Sequence, residues 1–321
     1  MNCKIYILLI ASSLVSVSCK SDTKPEAKTK IIESQPITKK EDSVIAVVAK
    51  SNATVSVTET KIVDISSIEE IVSKADHNTT LRLKKGKYEL PDNLVYFVTA
   101  DKKEIINKNV TETRSVGGQV FISGMTNFSI IGNDSEIFSN NPQAVPLFIL
   151  SANHGEFTNL TLGHKASGEI QSPVPSLYIS NSNNVKFSHC KLGNHSKAGI
   201  KINNSKLLTF TNCNISKAHS QIMEIYQGQS IQFINSTYKN NECTFGCFNF
   251  LGTDNSLDFK NVNVINNRSI GKKSNNYRQL VTGPANNIEF KNSKFNGNQN
   301  FDHVGIDEAN LIDCEVQNFK K

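Results

Sequence analysis

The 321-residue chain has no tryptophan, only 8 prolines and 17 glycines, and 20% charged residues. Glycine and proline are too scarce for a collagen-like rod or a proline-rich stalk. Hydrophobic residues, at 38%, are too many for a chain disordered throughout. A β-propeller would show four strands per roughly forty residues, usually with Trp or Asp marks, and a leucine-rich repeat would show dense leucine; neither pattern is present. No Cys/His spacing suits zinc. No basic stripe interleaved with aromatics suits nucleic acid, so none is expected as a partner. What the chain has in quantity is asparagine, 39 residues, together with 17 phenylalanines. Asparagine is poor in helix interiors and good in turns, where it tolerates left-handed backbone geometry, so the chain should turn often.

Residues 1–19 read MNCKIYILLIASSLVSVSC. Lys4 gives a short positive region, and Ile5 to Val17 form an apolar run too short to span a bilayer comfortably. The junction Ser16-Val17-Ser18-Cys19 resembles the lipobox of bacterial lipoproteins, whose cysteine is lipidated and becomes the mature N-terminus, although Ser16 replaces the usual Leu. Cleavage by ordinary signal peptidase near the same point is the alternative. Residues 20–60 are charged, rich in Ser and Thr, and without apolar periodicity. The reading is therefore a signal peptide over 1–18, a lipidated flexible tether over 19–60 and a folded domain over 61–321. That places the protein on a bacterial envelope, at the outer membrane or cell surface, touching the membrane only through its lipid. With 27 basic and 23 acidic residues from position 61 onward, the domain carries +4, which allows an acidic polymer as partner without demanding one.

Five cysteines lie in the folded domain: Cys190, Cys213, Cys243, Cys247 and Cys314. An odd number leaves at least one unpaired within the chain. Cys243 and Cys247 flank Thr244-Phe245-Gly246 and either form a local disulfide or stay free.

From Gly155 onward the sequence repeats. GEFTNLTL, VKFSHCKL, LTFTNCNI, IQFINSTY, LDFKNVNV and IEFKNSKF begin at 155, 185, 208, 231, 257 and 288, and ANLIDCEV at 309 is a degenerate last copy. Alignment yields columns. Phe157, Phe187, Phe210, Phe233, Phe259 and Phe290 share the first. Asn159, His189, Asn212, Asn235, Asn261, Asn292 and Asp313 stand two residues later. A small column follows, containing Cys190, Cys213 and Cys314, and then an apolar one from Leu162 to Val316. Each copy alternates at period two, breaks at the Asn and resumes, which describes two short strands joined by a bend. A further alternating stretch precedes each Phe. Three short strands per 23 to 31 residues make one coil of an all-β, single right-handed parallel β-helix solenoid. About eight or nine coils stacked at the strand spacing give a rod of roughly 40 Å. Phe rings should stack inward, and the cysteine column should be buried filler.

Ile65 to Ala75 places apolar residues at helical spacing behind a Ser66–Glu69 capping box, as an N-terminal helical cap on the open first coil requires. TLRLKKGKYEL and MTNFSIIGNDSEIF then resemble the opening coils of the pectin-lyase-like superfamily. Residues 177–297 resemble its NosD-type, or carbohydrate-binding and sugar-hydrolase, repeats. The resemblance spans residues 62–316 and implies fold more than activity. It also implies polysaccharide as the substrate class. The superfamily's lyase stretches with Trp-x-Asp-His and Arg-x-Pro-x-x-Arg are missing, and no Asp-Asp offers the paired carboxylates of its hydrolases. The repeats are too poor in carboxylates for calcium, and neither a metal nor a cofactor is expected.

Register by the Phe column puts Tyr178, Lys201, Glu224 and Asn249 outward, one per coil, with Ser180, Asn203 and Tyr226 as a second track. His195 and His219 lie in nearby turns with Lys197. Tyrosines among amides and charges suit a sugar-binding face, contacting glycan through Tyr178, Lys201, Asn203, Glu224, Tyr226 and His195. A lyase acting on an acidic glycan would use Lys201 or His219 as base, and Lys197 or Arg278 to neutralise the uronate carboxylate. An ordinary Lys201–Glu224 cross-strand pair is the competing reading. His303 and Asp307 fit a degenerate terminal coil better than a metal or acid–base pair. Polysaccharide binding ranks first, a lyase second, and a structural or adhesive surface protein third.

Overall fold

Short apolar–polar alternations are broken by left-handed residues that bend the chain, even inside its longest strands such as Ser129–Ser139, and these bends close each coil. The computed structural model describes residues 60–107, 117–165, 172–244, 246–270, 279–284, 287–305 and 310–317. All belong to one compact unit, Ser56–Lys321. The signal, Cys19, the tether up to residue 59, Arg278 and Asp307 lie outside the described residues.

The chain winds a right-handed parallel β-helix. One 17-stranded sheet carries both halves of the repeat, and a nine-stranded sheet forms the remaining face. Register follows the sequence columns: Phe157 pairs with Phe187, Phe187 with Phe210, Phe210 with Phe233, Phe233 with Phe259 and Phe259 with Phe290. Their rings stack at centroid distances of 5.0, 4.8, 4.9, 4.7 and 4.3 Å, all buried. Cys190 and Cys213 are buried free thiols in the next inward column. Cys243 and Cys247 form a disulfide, which settles the alternative that the sequence left open.

The asparagine column has a backbone cause. Asn159, His189, Asn212, Asn235, Asn261, Asn292 and Asp313 all take φ between 48° and 55°, the left-handed region that costs most side chains about 1–2 kcal/mol. Asn and Asp enter it at lower cost by bonding locally. Their amides also bridge coils: Asn261 Nδ2 donates to Asn235 Oδ1 at 3.0 Å, and Asn212 Nδ2 to His189 Nε2 at 3.1 Å.

A second left-handed column, Asn127, His154, Asn184, Leu207 and Ser230, contains one misfit. Leu207 has φ 55° with its side chain 51% exposed, so it bears the conformational cost without a burial gain. Leu207→Asn is expected to raise unfolding free energy by about 1 kcal/mol. Chemical denaturation checks this, and an unchanged or lower midpoint would refute it.

The helix Ile68–Lys74 covers the first coil and buries Ile68, Ile71 and Val72. It starts one residue later than the Ser66–Glu69 spacing predicts. Glu70, not Glu69, reaches back, accepting the Ser66 backbone N–H at 2.5 Å, the Ser66 hydroxyl at 2.8 Å and the Ser67 N–H at 3.3 Å. Glu69 instead accepts from Tyr96 Oη at 3.3 Å. Of the 101–118 insertion, Lys103–Asn107 turns back antiparallel to Leu94–Thr99.

Candidate functional site

Apart from the edge strand Lys103–Asn107, the strands of the nine-stranded sheet turn alternate residues into the core, so the intervening ones form outward columns. Tyr178, Lys201, Glu224 and Asn249 occupy one column as the repeat spacing places them. The column extends further than the sequence repeats suggested. Phe97 pairs with Phe121, Phe121 with Phe148 and Phe148 with Tyr178, and Asn249 pairs with Thr282 at the other end. Four half-buried aromatics thus precede the charged pair. Phe97 and Phe121 stack at 5.0 Å, Phe121 and Phe148 at 5.1 Å, and Tyr178 meets Phe148 edge-on at 4.5 Å. The Lys201 ammonium lies 5.7 Å from the Tyr178 ring centroid and pairs with Glu224 at 2.6 Å. The cross-strand pair is therefore formed, and it sits at the end of an aromatic floor.

A groove of about 390 Å³ opens on this column. Phe121, Phe148 and Tyr178 make the floor, Lys201 and Glu224 one end, and Val145, Val174, Lys197 and Gln221 the sides. Lys197 forms no ion pair among the described residues. Gln221 is 3% exposed, and its Oε1 has no hydrogen-bond partner.

The second track runs Ser123, Leu150, Ser180, Asn203, Tyr226, Leu251. Tyr226 and Leu251 are exposed, whereas Ser180 is buried at 6% and offers little surface. His195 and His219 do not join the groove. They line a separate recess of about 210 Å³ with Lys217, Asn240 and Glu242. Burial holds both histidines below the ordinary imidazole pKa, with Lys217 adding to the effect at His195. The Nδ1 of His219 is buried without a partner. Lys201 and Lys197 therefore share one site, and His219 belongs to another.

The sequence reading also passed over His164, which follows the Leu160–Leu162 alternation at a strand end. Its Nδ1 lies 2.8 Å from Ser196 Oγ and its Nε2 2.7 Å from the Ala144 carbonyl. The carbonyl requires the proton on Nε2, leaving Nδ1 to accept from Ser196. Burial pushes His164 down to about 4, with His219 and His195 adding repulsion against the carbonyl's opposing effect. The folded pKa is depressed below the unfolded value of 6.5, so on acidification the unfolded chain takes up this proton first. Stability at this site is complete above 6.5, falls by about 3 kcal/mol as pH drops to 4, and falls no further below that. Denaturation midpoints across that range check this. His164→Gln should flatten this part of the profile, and an unchanged slope would assign the loss to other groups.

No family model matches the sequence, and no curated protein does. Solved structures do resemble it. A pectate lyase, Pel9A, aligns at 13% identity and TM-score 0.37, over 76% of this chain and 62% of its own. Pectin methylesterase from Yersinia enterocolitica aligns at 14% identity and TM-score 0.36, over 81% and 86%. The surface adhesin PfbA of Streptococcus pneumoniae aligns at 13% identity and TM-score 0.28, over 80% and 68%. The chain spans about three fifths of the pectate lyase. Similarity this low carries no argument about activity.

Proposed function

We propose that this protein binds an extended polysaccharide along the outward column of the nine-stranded sheet, from Phe97 to Glu224, and is held on the bacterial envelope by a lipid on Cys19. One observation carries the binding reading: four half-buried aromatics and an ion pair stand in register, one per coil, and all of them but Phe97 line a groove. Sugars present apolar C–H faces ringed by hydroxyls, so ring floors with amide and charged borders complement them. Coils repeat at about 4.8 Å, a length similar to one sugar residue in an extended chain, so a polymer laid across the coils meets successive side chains. Lys201 and Glu224 hold each other and serve orientation in this reading. Asn203 and Tyr226 add a second contact line.

Binding of the purified domain to a panel of neutral and acidic glycans tests this, with absorbance of an unsaturated product followed in parallel. Tyr178→Ala or Lys201→Ala should weaken binding about tenfold while the folded spectrum is kept. Unchanged affinity would move the site elsewhere, new absorbance would make the protein a lyase, and no binding at all would favour a structural or adhesive role. The anchor is tested separately. Cys19→Ala should shift the product from the detergent phase to the aqueous phase, and continued partitioning with detergent would refute lipid anchoring.

A further inference from the structure

Within the groove, the side walls differ in chemistry from the floor. Val145 and Val174 face it with apolar surface, beside Pro173 and Pro175. The Gln221 carboxamide is packed into the wall with its oxygen unpartnered, an arrangement that is unfavourable until a donor arrives. Lys197, half-buried in the same wall, has an ammonium with no carboxylate partner among the described residues. A ligand group that satisfies all three features must bring one N–H or O–H donor, one strong acceptor and a small apolar end, in close succession. A carboxylate supplies only the acceptor. It would leave the Gln221 oxygen without a donor and would also face Glu224 at the groove's end. A plain hydroxyl lacks the apolar end.

We infer that the groove recognises the acetamido group of an N-acetylated amino sugar. The acetamide N–H donates to Gln221 Oε1 once the carboxamide turns toward the ligand. Its carbonyl accepts from the Lys197 ammonium, and its methyl packs against Val145 and Val174. The sugar ring itself lies on Phe148 and Tyr178. This inference rests on the polysaccharide reading above and names the polymer class it takes.

The experiment is a glycan array of matched pairs that share linkage and ring configuration and differ only in carrying acetamido, free amino or hydroxyl at one carbon, with uronate polymers alongside. Wild-type domain should bind the acetamido members at least tenfold more tightly than their amino or hydroxyl partners. Gln221→Leu and Lys197→Met should each reduce that preference about tenfold, while residual binding through the aromatic floor persists. Lys197→Met changes a partly exposed side chain and keeps the test open if Gln221→Leu fails to fold. Equal binding across matched pairs, or a preference for uronates, would overturn the acetamido inference and leave polysaccharide binding standing. Absence of binding to every glycan would overturn both.

Discussion

Phe210→Ala should lower the unfolding free energy by about 3–5 kcal/mol, the range for removing a fully buried aromatic. The ring is 0% exposed and stacks between Phe187 at 4.8 Å and Phe233 at 4.9 Å, so truncation opens a void shared by three coils. Backbone pairing on both sides fixes the coil spacing, and the neighbouring rings cannot collapse into the gap. Phe210→Leu, which keeps most of the volume, should cost roughly half as much or less. In a solenoid each coil touches only its neighbours, so a weakened coil in the middle also threatens cooperativity. Denaturant unfolding reads both effects: a lower midpoint at constant slope reports lost packing, and a reduced slope reports a chain that now unfolds in two parts. Tyr226→Ala, on an exposed outward position, is the control and should move stability by no more than about 0.5 kcal/mol. A Phe210→Ala loss below 1 kcal/mol would mean that the ring column contributes little to stability.

The phenylalanine column was legible because a parallel solenoid places the same side chain above itself at every coil, so spatial stacking becomes sequence repetition. The asparagine column was legible for the same reason, with left-handed backbone as its cause. Where coils differ in length, the mapping weakens. Phe97, Phe121 and Phe148 belong to the outward column of Tyr178, yet they precede the regular repeats and are separated by insertions. No column alignment reached them. The cap was legible as a helix, but two consecutive serines left its first residue ambiguous by one. Lys201, Glu224, Asn203 and Tyr226 fell into register as read, whereas the depth of Ser180 depended on how its strand leaves the sheet. His195 and His219 were grouped with Lys197 by closeness in sequence, but the chain passes a corner between them and the groove. Groove walls come from segments such as 143–145 and 173–175 that follow no repeat, so neither their apolar character nor the burial of Gln221 beside them could be inferred beforehand.

Asn267→Ala should cost about 3–6 kcal/mol, through lost polar partners and not through lost apolar volume. Asn241, Asn267 and Asn298 lie on successive coils, each three residues after the apolar column at Tyr238, Val264 and Phe295, and each is no more than 1% exposed. They form a buried ladder. Asn241 Nδ2 donates to Asn267 Oδ1 at 2.9 Å, and Asn267 Nδ2 donates to Asn298 Oδ1 at 3.0 Å. The second N–H of each amide goes to a backbone carbonyl on the preceding, adjacent coil: Ile215, Tyr238 and Val264 in turn. Each side-chain oxygen also accepts a backbone N–H, from Ala218, Asn241 and Asn267 respectively. Removing the Asn267 amide strips the acceptor from two buried donors, the Asn241 backbone N–H and its Nδ2. It also takes a donor from the Tyr238 carbonyl. Asn298→Ala removes the acceptor from the corresponding two donors of Asn267 and should cost a similar amount. Asn241→Ala orphans only one N–H, that of Ala218, because the Asn267 oxygen still accepts from the backbone at 241. Its cost should therefore be smaller, about 1–3 kcal/mol. Equilibrium unfolding of the three variants gives the order, and hydrogen exchange at the Asn241 and Asn267 amides gives the cause, since both should lose protection when their own acceptor is removed. Equal losses in all three variants would mean that shape alone sets the cost at these corners, and the hydrogen-bonded ladder would lose its claim to hold the coils in register.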